Sequence, residues 1–306
     1  MHIAVACAGR RGYQVLRRLV NNVPGAEFTV FSFREEKHEP AFLEDIGSLA
    51  ASAGGVFLES RRIDRGPARS YLESHDTDLM LVIGWRYLVQ RCAYSRPKRG
   101  TFVFHDSLLP RYRGFSPTVW AMQNGEDCTG ATLFKIADDV DSGDIVDQRR
   151  VPIWKHDTIA DVIHRVTESY VELLEGNLES LLNGTATLQP QNHSLATYGR
   201  KRIDEDRRIQ WEMPAQKIYD LIRAVTKPYP GAVTQYQAHQ LRVWKAQPVR
   251  LPNLQLDVEP GTVMYVLGGN RYVVTTGTGM LLLEECEWQS PVMSDSQQLQ
   301  VNDRLG

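Results

Sequence analysis

The sequence predicts an α/β protein: a mostly parallel sheet flanked by helices, with a smaller β-rich module at its C-terminal end. Three observations carry this. Short apolar runs alternate with helical apolar spacings from His2 to Leu182. The run Asp78–Gly84 is apolar almost throughout, as suits a strand covered on both faces in the middle of a parallel sheet. From Val233 the pattern changes to short strands with turns at Gly261, Gly268-Gly269 and Gly277-Thr278-Gly279.

His2 to Ala8 reads as a buried strand. Gly9-Arg10-Arg11-Gly12 follows, then a helix to about Asn22 with Val15, Leu16, Leu19 and Val20 on one face. This β-turn-α start is of the nucleotide-binding kind, yet the GxGxxG fingerprint is absent. Gly9 and Gly12 therefore read either as a tight structural turn or as a close approach to a ligand. Phe28–Phe33 is the next strand. Phe42–Ala53 is a helix through Phe42, Ile46, Leu49 and Ala50, ended by Gly54-Gly55. Val56–Leu58 is a short strand and Ala68–Ser74 a helix. Thr101–Phe104 is a strand that ends on His105, and Pro110, Gly114 and Pro117 break the chain after it. Pro117–Asn124 reads as a helix with proline in its first turn. Ala131–Ile136 is a strand, Asp138–Asp144 an acidic loop, and Val151–Ile153 a short extended run. Thr158–Leu182 is a long helix, capped at Asp157-Thr158, whose Ile159, Val162, Ile163, Val166, Tyr170, Leu173 and Leu174 belong to the core. Gln189–Arg208 is polar and reads as a linker, and Pro214–Val225 as a further helix.

The chain has 306 residues and a net charge of −2. That length supports about two domains, and the balanced charge supplies no bulk attraction to nucleic acid or membrane. Cys7, Cys92, Cys128 and Cys286 lie far apart with no CxxC pair, which argues against a disulfide framework and against zinc. Met1 leads straight into a strand-like run, so no signal peptide is expected, and no apolar run reaches the length of a membrane span. A cytoplasmic protein is expected.

A histidine at a strand end and an aspartate in a Gly-containing turn flank one βα-type unit, where open α/β sheets keep their chemistry. Each alone is weak, since Asp-Ser-Gly is commonly just a turn. Together they form a longer pattern: His105-x-Ser107-Leu108-Leu109-Pro110-x-x-Arg113-Gly114, then Asn124-Gly125, Thr129-Gly130 and Asp141-x-Gly143. This pattern resembles the folate-dependent formyltransferase family. Tyr198–Asp206, Ile209-x-Trp211, Ile222-Arg223-Ala224 and Pro228–Ala232 resemble, within it, the sugar-nucleotide enzymes acting on UDP-4-amino-4-deoxyarabinose.

The resemblance implies a Rossmann-like, mostly parallel sheet flanked by helices and a C-terminal β-rich, OB-like domain. It implies a catalytic domain over 1–189, a linker over 190–208 and the OB-like domain over 209–306. The implied catalytic residues are His105 and Asp141. The implied folate-binding residues are Trp85, Arg86, Tyr87, Leu88, Leu109, Pro110 and Asp138, and the implied acceptor-binding residues are Gly9, Arg113, Arg200, Lys201 and Arg202. The donor would be N10-formyltetrahydrofolate, with no metal, and the acceptor a small amine on a nucleotide sugar. Guanidinium forks match diphosphate oxygens, though Arg200-Lys201-Arg202 also reads as a solvated linker. An OB-like domain raises a tRNA acceptor, but the chain lacks a basic, aromatic-laced stripe.

One position departs from the family. Its catalytic trio is an asparagine, a histidine two residues later and the distant aspartate, and here the asparagine position is Val103. Loss of one oxyanion donor costs on the order of 3 kcal/mol elsewhere. The hydrolase domain of 10-formyltetrahydrofolate dehydrogenase also carries an aliphatic residue there. A 10-formyltetrahydrofolate hydrolase, a methionyl-tRNA formyltransferase and a catalytically weak folate- or nucleotide-binding protein therefore stand as alternatives. The acceptor and the oligomeric state stay open.

Overall fold

A computed structural model describes residues 1–36, 39–249, 258–289 and 299–306. The chain forms two units. The first comprises Met1–Pro117, Cys128–Pro152 and Ile163–Arg200, and the second Thr118–Asp127, Ile153–Val162 and Lys201–Gly306.

In chain order the elements are β1 (His2–Cys7), α1 (Gly9–Asn22), β2 (Glu27–Ser32), α2 (Leu43–Ser52), β3 (Val56–Glu59), α3 (Gly66–Ser74), β4 (Leu79–Ile83), α4 (Arg91–Tyr94) and β5 (Thr101–His105). Then come β6 (Arg113–Gly114), α5 (Pro117–Asn124), β7 (Cys128–Lys135), β8 (Ile145–Pro152), α6 (Ile159–Asn183) and β9 (Tyr198–Gly199). The remainder is α7 (Ala215–Val225) and β10 (Ala232–Tyr236), β11 (His239–Val249), β12 (Val263–Val266), β13 (Tyr272–Thr275) and β14 (Met280–Trp288).

The first unit is built on a seven-stranded sheet of order β3-β2-β1-β4-β5-β7-β8. β1 to β5 pair in parallel, and β7 and β8 are antiparallel additions at one edge. β4 lies between β1 and β5, and all five of its residues are buried, as the apolar run required. All six residues of β1 are buried as well, and its Ile3 and Val5 side chains contribute roughly 1.5–3 kcal/mol each. Strand order reverses between β1 and β4, and such a switch point opens a crevice at the strands' C-terminal ends. Two glycines make it possible here. Gly84, at φ +63°, passes so close to β1 that a Cβ would sit 2.8 Å from the Ala8 carbonyl. Gly12 packs α1 onto the strand, where a Cβ would sit 2.9 Å from that of Cys7.

The sequence reading missed β8, because only its antiparallel pairing with β7 reveals it. Its centre, Asp147-Gln148-Arg149-Arg150, is polar and only part-covered at the sheet edge.

The second unit carries a five-stranded antiparallel sheet of order β10-β11-β14-β13-β12, with a bulge in β11 between Val243 and Ala246. α7 buries Ile218, Leu221, Ile222 and Val225. Trp211 is 2% exposed and its indole N–H donates to Thr234 Oγ1 at 2.9 Å. The β-rich module expected from Val233 onward is thus present, and its parts at 250–257 and 290–298 lie outside the described residues. Among the described residues no helix is long and apolar enough to cross a membrane.

Candidate active site

β5 places the histidine. Phe102 and Phe104 point to one face, where Phe104 meets Tyr170 of α6 with ring centroids 5.2 Å apart. By strand alternation Thr101, Val103 and His105 share the other face. His105 is 8% exposed. Its Nε2 lies 2.8 Å from the Tyr112 carbonyl oxygen, which only accepts, so Nε2 carries a proton. Nδ1 is then the nitrogen turned to Asp141, 3.5 Å from Oδ2. A backbone carbonyl thus fixes the ring, and Nδ1 can donate only when the ring is doubly protonated.

The loop after β5 is pinned from the sheet. The Thr132 hydroxyl donates to the Ser107 carbonyl at 2.6 Å and accepts from Leu109 N–H at 3.2 Å. Gln148 on β8 donates to the Leu109 carbonyl at 3.0 Å. The chain then turns back through β6 beside β9. Arg113 N–H donates to the Thr197 carbonyl and Phe115 N–H to that of Gly199, both at 2.8 Å. Residues 197–199 fall in the stretch expected as linker, and they are hydrogen-bonded into this loop.

Asp141 projects from the β7–β8 turn. Its Oδ2 accepts Gly114 N–H at 2.7 Å. Its backbone, like those of Tyr112 and Ser116, is left-handed, with φ of +48°, +57° and +52°. A non-glycine residue held there costs about 1–3 kcal/mol, and such residues gather where function over-determines the chain.

Asp106, next to the histidine, faces away from it. It pairs with Arg11 at 2.6 Å and accepts a hydrogen bond from the Tyr170 hydroxyl. Burial, reinforced by the Asp106 charge, pushes that hydroxyl well above its ordinary range, so it stays a neutral donor. This anchors the strand end to α1 and α6.

The other expected residues fall into separate groups. Trp85 and Tyr87 pack edge-on against Phe33, at 5.2 and 5.0 Å, and Arg86 is held by both Glu39 oxygens at 2.7 Å. Leu88 is exposed, Leu109 buried and Pro110 half-buried. Asp138 is gripped by Arg91 at 2.9 Å and by the Tyr94 hydroxyl. Gly9, at φ +62°, has open space where a Cβ would stand. Arg113 is only 2% exposed and donates to Gln191 Oε1 at 2.7 Å and to the Tyr198 hydroxyl at 3.0 Å. Burial leaves it poorly placed to touch a substrate directly. Arg202 stacks over Trp120, 4.6 Å from the ring centre, and donates to Gln123 at 2.7 Å. Arg200 and Lys201 are exposed.

Val103 packs with Trp85 and Val89 against an apolar cluster that includes Ala4, Met80 and Val82. It presents no donor beside His105. The sequence reading missed the Tyr112 carbonyl, Thr132 and Gln148, none of which has a local signature.

The formyl transferase family model matches residues 21–176, and the model of the formyl transferase C-terminal domain matches residues 202–300. Among solved structures, an N-formyltransferase from Helicobacter canadensis in complex with folinic acid and dTDP-3-aminofucose superposes with a TM-score of 0.71 at 18% identity, over 93% of this chain and 99% of that one. HypX from Aquifex aeolicus in complex with tetrahydrofolic acid superposes with 0.63 at 19% identity, over 92% of this chain and 43% of that one. Methionyl-tRNA formyltransferase from Clostridium thermocellum gives 0.54 at 20% identity, over 81% and 93%. At those identities the likeness is one of fold. The family match alone spans more than half of the sequence and runs through both His105 and Asp141, so the chain belongs to the folate-dependent formyl transferase family.

Proposed function

We propose that the protein moves the formyl group of N10-formyltetrahydrofolate to the amine of a nucleotide-linked amino sugar. The observation that carries this reading is the pair His105–Asp141 at the C-terminal end of β5, 3.5 Å apart. A neutral amine attacks the formyl carbon, a C–N bond forms, and the carbonyl oxygen gains negative charge. His105, as the imidazolium with a proton on each nitrogen, is directed to bond that oxygen through Nδ1–H, and Asp141 to take the amine proton. The bond to N10 then breaks as N10 takes the proton held by Asp141, which returns to the carboxylate, so charge and protons balance. Trp85, Arg86, Tyr87, Leu88, Leu109, Pro110 and Asp138 are assigned to the folate side, and Gly9, Arg200, Lys201 and Arg202 to the acceptor. Arg113 acts from behind the site.

The amino-sugar acceptor is supported by the Helicobacter canadensis enzyme, which holds dTDP-3-aminofucose, and by WlaRD, a sugar 3N-formyl transferase determined with dTDP. The free cysteines suit a cytoplasmic setting. Domain limits of 1–189, 190–208 and 209–306 belong to the same reading.

Val103 favours a second reading, hydrolysis with water as acceptor. Tetrahydrofolate release with dTDP-3-aminofucose, UDP-4-amino-4-deoxyarabinose, methionyl-tRNA or no amine separates these. Amine-dependent release supports transfer and identifies the acceptor class. Equal release without amine supports hydrolysis, and no release with folate bound leaves a binding protein.

Val103→Asn adds an amide of similar size beside His105. If it reaches the oxyanion, amine formylation speeds up by as much as about a hundredfold, roughly 2.7 kcal/mol of barrier. If another group fills that place, the variant loses about 1–3 kcal/mol of stability by burying an unpaired amide and gains no rate. Unchanged rate and stability together would show that this position does not decide the chemistry.

For the basic run, Arg200→Ala and Lys201→Ala are expected to raise the acceptor KM about tenfold and leave the folate KM alone, as loss of charged hydrogen bonds does. Equal effects on both substrates, or none, return the run to a solvated segment.

A further inference from the structure

Gln191 is 5% exposed and lies fifty residues beyond Asp141 in sequence, yet its side chain touches that residue's backbone. Its Nε2 donates to the Asp141 carbonyl at 2.9 Å and to the Gly143 carbonyl at 2.7 Å. One amide therefore holds both flanks of the turn that carries the carboxylate. At the other end, Oε1 accepts from Arg113 Nη2 at 2.7 Å and Nε at 3.2 Å. A guanidinium only donates, so it dictates which end of the amide faces the turn. Arg113 is itself fixed, through Nη1 on the Tyr198 hydroxyl at 3.0 Å and Nη2 on His193 Nδ1 at 3.1 Å. The next residue, Gly114, donates its N–H to Asp141 Oδ2 at 2.7 Å. These links form a closed ring: carboxylate, Gly114, Arg113, Gln191 and back to the Asp141 carbonyl.

From this ring we infer that Gln191 is a positioning residue for Asp141. Holding the carbonyl keeps φ at +48° and keeps the carboxylate on Gly114 and His105. Arg113 serves the same end by orienting the amide. Its acceptor in the ring is the uncharged Gln191 amide, so it does not pair with the Asp141 carboxylate. The inference rests on the reading of Asp141 as the catalytic base.

Two substitutions separate positioning from simple structural support. Gln191→Glu keeps an acceptor opposite Arg113 but removes both donors, and it places oxygen against the two carbonyls. Gln191→Met keeps the length and removes all polarity, and it guards against a Glu variant that does not fold. Each is compared with the parent and repeated on an Asp141→Asn background. Tetrahydrofolate release from N10-formyltetrahydrofolate is measured with the fastest amine of the panel above, or with water where none accelerates it. Both variants should lower kcat about tenfold or more and leave the folate KM within about twofold, while on the Asp141→Asn background the same changes should cost less than about twofold. Hydrogen exchange of the turn peptide over 137–145 should quicken about tenfold, with β5 unchanged.

A parent-like kcat in a folded variant overturns the inference. So does an equal loss on the Asp141→Asn background, which would mean support of the fold rather than of Asp141. Unchanged exchange in the turn overturns it whatever the activity. If Asp141→Asn alone leaves turnover intact, the catalytic reading of Asp141 falls and the inference with it. If only the Gln191 variants are silent, that reading stands.

Discussion

His105→Ala and Asp141→Asn are each expected to lower turnover about a hundredfold or more, which corresponds to roughly 2.7 kcal/mol of barrier. The two act differently. His105→Ala removes the Nδ1 donor and also takes the shorter of two hydrogen bonds from the Tyr112 carbonyl, which keeps the Ser107 hydroxyl at 3.4 Å. Loss of that hydrogen bond costs about 0.5–1.5 kcal/mol, so a melting temperature lowered by a few degrees should accompany the kinetic loss. Asp141→Asn keeps an oxygen for Gly114 N–H and thus the local fold, but removes the charge and the base. Its loss should therefore appear in kcat, with folding intact. Steady-state kinetics beside a thermal melt checks both. Turnover within about tenfold of the parent in either folded variant would remove that residue from the mechanism.

How much of this was legible follows from what each element depends on. Apolar strands announce themselves, so β1, β4 and β5 could be placed from sequence, and His105 with them. Asp141 was visible as the acidic residue of a Gly-containing turn. β8 was not, because an edge strand with Asp147, Gln148, Arg149 and Arg150 at its centre has no apolar run to show. β6 and β9 pair over two residues each, far below any periodicity signal. Arg113 and Gln191 are 78 residues apart, and a buried guanidinium met by an amide is a product of tertiary folding. A polar stretch after Pro190 reads as solvated until the partners that bury Gln191 are known. The same holds for Arg202, whose charge points to phosphate and whose stacking on Trp120 has no local signature.

The second large effect is expected at Gly143, where the sequence suggests one physical reason and the structure another. In Asp-Ser-Gly the glycine is usually the residue that accepts a positive φ. Here Asp141 takes that conformation, and Gly143 is not among the positive-φ glycines. Gly143 is needed for its missing side chain. A Cβ there would collide with the carbonyl oxygen of Lys135 and lie 3.3 Å from the Ala137 nitrogen. Neither obstacle can swing aside, because both are backbone, and Lys135 N–H is bonded to the Asp144 carbonyl at 2.9 Å. Gly143→Ala must therefore push the turn off β7, at a cost of about 1–3 kcal/mol for overpacking. Asp141 stands two residues upstream on the same turn. A displacement of about 1 Å in a catalytic group can cost about a hundredfold, so turnover should fall to the level of Asp141→Asn although every functional side chain is present. Kinetics and a thermal melt on Gly143→Ala read the two effects separately. A variant that is less stable but turns over within about tenfold of the parent would show that the carboxylate is held from Gly114 alone, and that the turn is not what aims it.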